Sequence, residues 1–155
     1  MNRLYPWIVF GSLLLTFCRQ EPAEENELGA IYLNDFGMCF PTFNNSENTG
    51  YVITNNSQYQ ALRNSTLNHY INCDTAQLPT IDFNIYSLLG YFTEGTCSLN
   101  NTKEIVLDQR HRQYIYKIKV QEYGMCKMLV TTMNWALVPR LPGGYKVVFD
   151  VSEPE

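Results

Sequence analysis

The chain has 155 residues and a formal net charge of −4, so it lacks the basic excess that nucleic-acid binding normally requires, and we expect no nucleic-acid partner. Its length fits one domain, and 14% aromatic residues with only 17% charged residues favour a β-rich globule.

The first residues are typical of an export signal. Arg3 supplies a short positive region, and residues 4–17 form an apolar stretch that is too short to span a bilayer. The tetrapeptide Leu15-Thr16-Phe17-Cys18 resembles a bacterial lipobox, in which the cysteine is acylated and becomes the new N-terminus. Phe17 differs from the small residue that usually precedes that cysteine. An ordinary secretory signal, cleaved a few residues later, is the alternative.

The lipobox divides the chain into three parts. We predict a signal peptide over residues 1–17 and a tether over residues 18–30 that carries diacylglyceryl and palmitate on Cys18. The tether is rich in Glu, which is typical of a solvated linker. A single β-rich domain over residues 31–155 would follow, with the anchor holding it at a membrane.

The first half of the predicted domain contains one strand and one helix. Residues 51–53 form a short apolar run that predicts a strand, and Ser57 followed by Gln60 fits a capping box at a helix start. We therefore predict a helix over about 58–65. Its buried face would carry Tyr59 and Leu62.

The second half changes to a period of two. Between Gln113 and Glu122, alternate residues are apolar, and only Ile115 breaks the alternation. Similar patterns predict five strands, joined by short turns, over residues 86–92, 104–109, 113–122, 128–138 and 145–151. The buried faces would carry Tyr114, Tyr116, Ile118 and Val120, then Leu129, Met133, Trp135 and Leu137, then Tyr145, Val147, Phe149 and Val151. The fold class is therefore mainly β (α+β), an antiparallel meander or a sandwich with one short helix in its N-terminal half.

The cysteines support export. If Cys18 carries lipid, four cysteines remain, and an oxidising compartment favours two disulfides. In an antiparallel arrangement the strand ends before Cys97 and Cys126 lie at the same edge of the sheet, so this pairing is the first choice among three. Cys39–Cys73 follows by elimination. No Cys-x-x-Cys motif or neighbouring His predicts a zinc site, and we expect no metal or other cofactor.

Residues 81–90 carry a family resemblance. Ile81-Asp82-Phe83-Asn84 and Tyr86-Ser87-Leu88-Leu89-Gly90 resemble the protease complex B-subunit family of bacterial surface lipoproteins, in a similarity that covers residues 51–95. The family's Gly-Gly-Tyr turn comes soon after that strand, whereas here Gly143-Gly144-Tyr145 lies near the C-terminus. The resemblance implies a small β-rich domain that binds or stabilises another envelope protein, and it carries over no catalytic residue.

The sequence shows little catalytic chemistry. Neither His69 nor His111 lies near a nucleophile motif, so a Ser-His-Asp site is not expected. Acidic residues that could form a glycosidase pair are Asp82, Glu94, Glu104 and Asp108. Acids near strand ends are usually solvated or capping groups, so we assign no catalytic residue.

A group of positive residues has two interpretations. Its members lie on one turn and one predicted strand, at Arg110, His111, Arg112, Lys117 and Lys119. They could meet an acidic partner or lipid headgroups, but a solvated strand face is the preferred explanation.

Two function classes follow. The first is a lipid-anchored, non-enzymatic protein of the cell envelope that binds or stabilises another envelope protein. The second is a hydrolase whose site is dispersed across the sheet. A protease inhibitor that acts through an exposed loop is a special case of binding, and residues 44–50 are the candidate loop for it.

Overall fold

A computed structural model describes residues 28–33, 50–67 and 79–152. These residues form nine strands and one helix. The elements are β1 (Ile31–Leu33), β2 (Gly50–Ile53), α1 (Asn56–Leu67), β3 (Tyr86–Thr96), β4 (Ser98–Leu99), β5 (Thr102–Asp108), β6 (Gln113–Lys119), β7 (Glu122–Tyr123), β8 (Leu129–Pro139) and β9 (Lys146–Ser152). The mainly-β class with one short helix is confirmed.

The strands form two main sheets, which pack face to face as a sandwich. One sheet has the order β1-β8-β3-β2, the other has the order β5-β6-β9, and β4 pairs with β7 as a small ribbon. The core between the main sheets is strongly aromatic, and its buried members include Tyr32, Tyr114 and Tyr116. Burial raises the pKa of Tyr116, whose hydroxyl has no hydrogen-bond partner among the described residues.

The helix covers the other face of the four-stranded sheet and makes a second core there. Tyr59 and Leu62 of α1 are buried, as predicted, against Leu88 and Trp135. The Tyr59 hydroxyl also donates a 2.8 Å hydrogen bond to the carbonyl oxygen of Pro79, which attaches α1 to the segment before β3. The arrangement is therefore a helix on a sandwich, in three layers.

The helix start differs from the prediction. The side-chain oxygen of Asn55 accepts a 3.0 Å hydrogen bond from the Gln58 amide, so Asn55 caps α1 instead of Ser57. The Gln58 side chain in turn accepts the Thr54 amide at 2.9 Å, which satisfies a second backbone donor. The capping box therefore lies two residues before the predicted one, and α1 begins at Asn56.

Of the two predicted arrangements, the structure has the sandwich, and the antiparallel meander is wrong. β8 does not follow β6 in one sheet but pairs with β3 along its whole length. The connection after β8 then crosses to the other sheet, where β9 lies parallel to β6. The Lys146 amide, which donates a 3.0 Å hydrogen bond to the Arg112 carbonyl, sets the register at that crossing.

Strand burial follows the predicted alternation in β6 and β9 but not in β8. The inward faces of β6 and β9 are as predicted. From Met133 to Val138, however, residues of both faces are fully or largely buried, because α1 covers one face and the other sheet covers the other. Leu129 is exposed, contrary to its predicted place in the core.

None of the helices in the described ranges is long and apolar enough to cross a membrane. The predicted signal peptide, the Cys18 lipidation site and the Cys39–Cys73 bridge lie outside the described residues, as does His69.

Candidate functional site

The two longest strands extend past their neighbours to form a two-stranded arm. β2 pairs with β3 only from Leu88 to Tyr91, and β1 pairs with β8 only from Trp135 to Leu137. Beyond those points, residues 92–96 of β3 and 129–133 of β8 pair, among the described residues of the main sheet, only with each other. We call these ten residues the arm.

A loop with unusually many attachments lies at the end of the arm. This braced loop comprises residues 122–129, from the start of β7 to the first residue of β8. A disulfide joins Cys126 of the loop to Cys97, the residue after β3, as the strand-end argument predicted. The Cys97 amide donates a 2.8 Å hydrogen bond to the Met128 carbonyl, and the Cys126 amide donates to the Cys97 sulfur.

Side chains and backbone conformation add to this bracing. The Thr96 hydroxyl donates a 2.6 Å hydrogen bond to the Glu122 carboxylate, and β7 pairs with β4. Gly124 has a φ of +99°, and a Cβ at this position would lie 3.1 Å from Cβ and Sγ of Cys97. Only glycine adopts this φ and leaves room for Cys97 without strain, so the turn requires a glycine at this position.

A buried polar cluster holds the base of the arm. The Asn134 side-chain amide donates to the Tyr91 carbonyl at 3.1 Å and to the Thr93 hydroxyl at 3.0 Å. The Asn101 amide donates to Asn134 Oδ1 at 2.9 Å and to Thr93 at 2.8 Å. The connection between β4 and β5 is thereby fixed to the arm, because breaking any of these buried bonds leaves an unsatisfied polar group.

The braced loop is apolar although it is exposed. Met125 is fully exposed, Met128 and Leu129 are 63% and 65% exposed, and Tyr123 is 51% exposed. These are four of the seven large hydrophobic residues that are exposed in the described part of the chain, and they lie within seven consecutive positions. Scattered exposed hydrophobic residues are ordinary, but a concentrated patch is typical of an interaction site.

The four acidic candidates are not brought together. Asp82 accepts the Asn84 amide at 2.9 Å in the turn before β3, and Glu94 is exposed on the arm. Glu104 accepts a 3.3 Å hydrogen bond from Lys117 on the outer face of the three-stranded sheet. Asp108 belongs to the hairpin between β5 and β6. No two of them form a glycosidase-like pair in the described structure, and no three acidic, His or Cys side chains there are placed to hold a metal ion.

His111 has a structural partner in the hairpin. Its Nδ1 lies 2.6 Å from the Asp108 carboxylate, and its amide donates to the same side chain at 3.0 Å. The side-chain bond from His111, followed by the bond from its backbone, holds the pKa of Asp108 below its ordinary value. Lys117 also has acidic neighbours, since it pairs with Glu104 and lies opposite Asp150 in the register of β6 and β9. The positive group is therefore better explained as a solvated strand face.

The sequence pattern predicts the Cys97–Cys126 bridge but not the exposed apolar surface. It predicts Met128 and Leu129 in a strand and indicates no role for Met125. The available signal was Gly124-Met125-Cys126-Lys127-Met128, which has apolar residues but neither strand nor helix periodicity. The loop that was proposed from sequence, residues 44–50, lies outside the described residues except for Gly50.

Comparisons with known proteins found no match: no family model, no curated protein and no solved structure corresponds to this chain. The resemblance to the protease complex B-subunit family therefore stays a prediction.

Proposed function

We propose that this protein is a lipid-anchored, non-enzymatic component of the bacterial cell envelope that binds another envelope protein through the braced loop. The observation that carries the proposal is the exposure of Tyr123, Met125, Met128 and Leu129 on a loop fixed by a disulfide and a strand ribbon. The lipid anchor at Cys18 would keep this surface close to the membrane.

The bracing favours binding for an entropic reason. A flexible loop loses conformational freedom when it docks, and that loss opposes association. Here Cys97 already fixes residues Cys126 and Met128 before any partner arrives. The burial of apolar side chains from such a loop then contributes to affinity with little ordering cost.

The side chains themselves suit a protein partner. Methionine side chains are flexible and polarisable, so they adapt to irregular apolar surfaces, and a tyrosine adds a rigid ring with a polar end. The Tyr123 hydroxyl donates a 3.1 Å hydrogen bond to Gln121, which orients the ring. An apolar centre with a polar group at its border, here Glu122, is the usual composition of a protein interface.

The Cys97–Cys126 disulfide supports an exported location. Disulfides persist in oxidising compartments outside the cytosol, and the predicted leader would deliver the chain to one. The scattered positions of Asp82, Glu94, Glu104 and Asp108 offer no support for the hydrolase alternative.

Photo-crosslinking in native membranes tests the proposal. We expect a chain with benzoylphenylalanine in place of Met125 to give one discrete protein adduct. The same amino acid in place of Val148 should give none, because Val148 is 40% exposed on the outer face of the three-stranded sheet, away from the loop.

The adduct should also depend on the neighbouring apolar residues. Adding the substitutions Met128→Ser and Leu129→Ser to the Met125 probe should abolish it, since these changes remove apolar area from the surface without touching the disulfide. Equal adducts from positions 125 and 148 would contradict the proposal. Adducts with lipid alone at position 125 would also contradict it, because the loop would then be a membrane contact.

A further inference from the structure

We infer that the braced loop is a substrate-mimicking inhibitory loop for a serine protease of trypsin-like specificity, with Lys127 as the residue that enters the specificity pocket. This inference rests on the proposed function, because it names the class of partner that the loop binds. The inhibitory role is thereby assigned to the braced loop, residues 122–129, instead of residues 44–50.

Lys127 is placed as such a residue must be. It is exposed, lies outside the strands between β7 and β8, and has no ion-pair partner in the part of the chain that the structure describes. A trypsin-like specificity pocket carries a carboxylate at its base and accepts a long basic side chain. Charge complementarity therefore selects this class of protease.

The backbone around Lys127 has a form that a protease can bind. Residues 125–129 all have negative φ, since the positive values nearby belong to Cys97 and Gly124. Residues 126–128 have no regular secondary structure, and β8 begins only at Leu129. Proteases bind exposed, irregular segments of their substrates, and a loop already fixed by its attachments to Cys97 associates with little conformational cost.

The attachments to Cys97 separate an inhibitor from a substrate. The residue before Lys127 is bonded to Cys97 by the disulfide, and the residue after it, Met128, accepts a 2.8 Å hydrogen bond from the amide of the same Cys97. Leu129 is also in the β8 ladder opposite Thr96. Cutting the Lys127–Met128 bond would therefore leave both new ends held at one residue, so they could not move apart.

The chemistry balances within this geometry. Attack by the protease serine forms an ester to the Lys127 carbonyl carbon and breaks its bond to the Met128 nitrogen, which receives the serine proton through the catalytic histidine. Because Met128 stays in place, its amine attacks the ester, restores the peptide bond and returns the proton to the serine. Water is the competing nucleophile, and the retained amine has the higher effective concentration.

The apolar residues on either side of Lys127 complete the surface. Met125 lies two positions before Lys127 and Met128 follows it directly, and both are largely exposed. They would contact the protease on opposite sides of the specificity pocket. This accounts for methionines that contribute little to the core of the sandwich.

Inhibition of pancreatic trypsin tests the inference with the oxidised full-length chain in detergent solution. We expect loss of trypsin activity on a small peptide substrate, with a Ki in the nanomolar range or below. Lys127→Ala should raise Ki by about 100-fold or more, because a central buried anchor carries much of the affinity. Lys127→Arg should retain inhibition. Lys146→Ala, which removes an exposed lysine from β9, should leave Ki unchanged.

Two further measurements exclude a purely structural role for Lys127. Lys127→Leu should inhibit chymotrypsin in place of trypsin, since its specificity pocket is apolar. The variant Cys97→Ala with Cys126→Ala should be cleaved after Lys127 as an ordinary substrate, as seen in the masses of its fragments.

Three results would overturn the inference: no effect on trypsin, complete cleavage of the oxidised chain without inhibition, or inhibition that Lys127→Ala leaves intact. None of these depends on a membrane partner. A discrete protein adduct at position 125 without trypsin inhibition would retain the proposed binding function and reject the protease. Failure of both experiments would reject both.

Discussion

We expect Gly90→Ala to destabilise the protein by about 3 kcal/mol, at the upper end of the usual cost of overpacking a core. Gly90 lies in the middle of β3, and a Cβ there would overlap carbons of the Trp135 ring on the neighbouring strand. Trp135 is fully buried beneath α1. The ring cannot move without displacing the helix core, so the strain is not relieved.

Urea denaturation of purified variants measures this effect. Gly143→Ala is the matched control, since no atom of the described residues lies within 4 Å of a Cβ at that position. In the Trp135→Leu variant, Gly90→Ala should destabilise the protein much less than it does in the native chain, because the overlapping ring atoms are gone. A Gly90→Ala variant as stable as the Gly143→Ala control would contradict the packing of α1 and Trp135 described above.

Removal of the Cys97–Cys126 disulfide should lower the free energy of unfolding by about 3–4 kcal/mol in the chain-entropy model. The bond spans a sequence separation of 29 residues, which includes β4 to β7, and the unfolded chain gains the freedom of that loop when the bond is absent. The test variant is Cys97→Ala with Cys126→Ala. Alanine retains the cost of the left-handed backbone at position 97, where φ is +64°, so the comparison isolates the bond.

Denaturation and amide hydrogen exchange together locate the effect. Beyond the global loss, we expect exchange to accelerate most in the braced loop, at Tyr123 to Leu129, and least in the core strand β6. Loss of less than about 1 kcal/mol, with unchanged exchange in the loop, would show that the β4–β7 ribbon and the Thr96–Glu122 hydrogen bond fix the loop alone. The disulfide would then contribute little to fixing the braced loop.

Local patterns predicted those parts of the fold that depend on local chemistry. The alternation in β6 and β9 survives because each strand has one face on the core between the sheets and one face in solvent. The alternation is lost in β8, because α1 and the other sheet bury both of its faces from Met133 to Val138. A strand with two covered faces loses the period-two signal.

The sheet order depended on long-range contacts that no local pattern carries. Short turns favoured a meander, but the chain leaves β6, joins β3 through β8, and returns beside β6 as the parallel strand β9. The Leu141 amide donates a 3.1 Å hydrogen bond to the buried Ser87 hydroxyl, which holds that connection from a residue over fifty positions away. Such a contact is visible only once the sheets have formed.

The candidate site, too, was only partly predictable from the sequence. The Cys97–Cys126 pair was predictable because it needs only the relative positions of strand ends, and those positions agree in the meander and in the sandwich. The exposure of Met125, Met128 and Leu129 was not predictable, because apolar residues beside a strand usually belong to the core. They are exposed because they lie at the far end of the arm, past the residues of β3 and β8 that pair with β2 and β1.

We propose that a lipid anchor holds a disulfide-braced loop outside the cytosol, and intact mass spectrometry of protein recovered from its native membrane tests this claim. We predict a chain that begins at Cys18 with a diacyl or triacyl adduct, and a mass gain on reduction of two hydrogens for each of two disulfides. An unlipidated chain, or one that gains no mass on reduction, would contradict the claim.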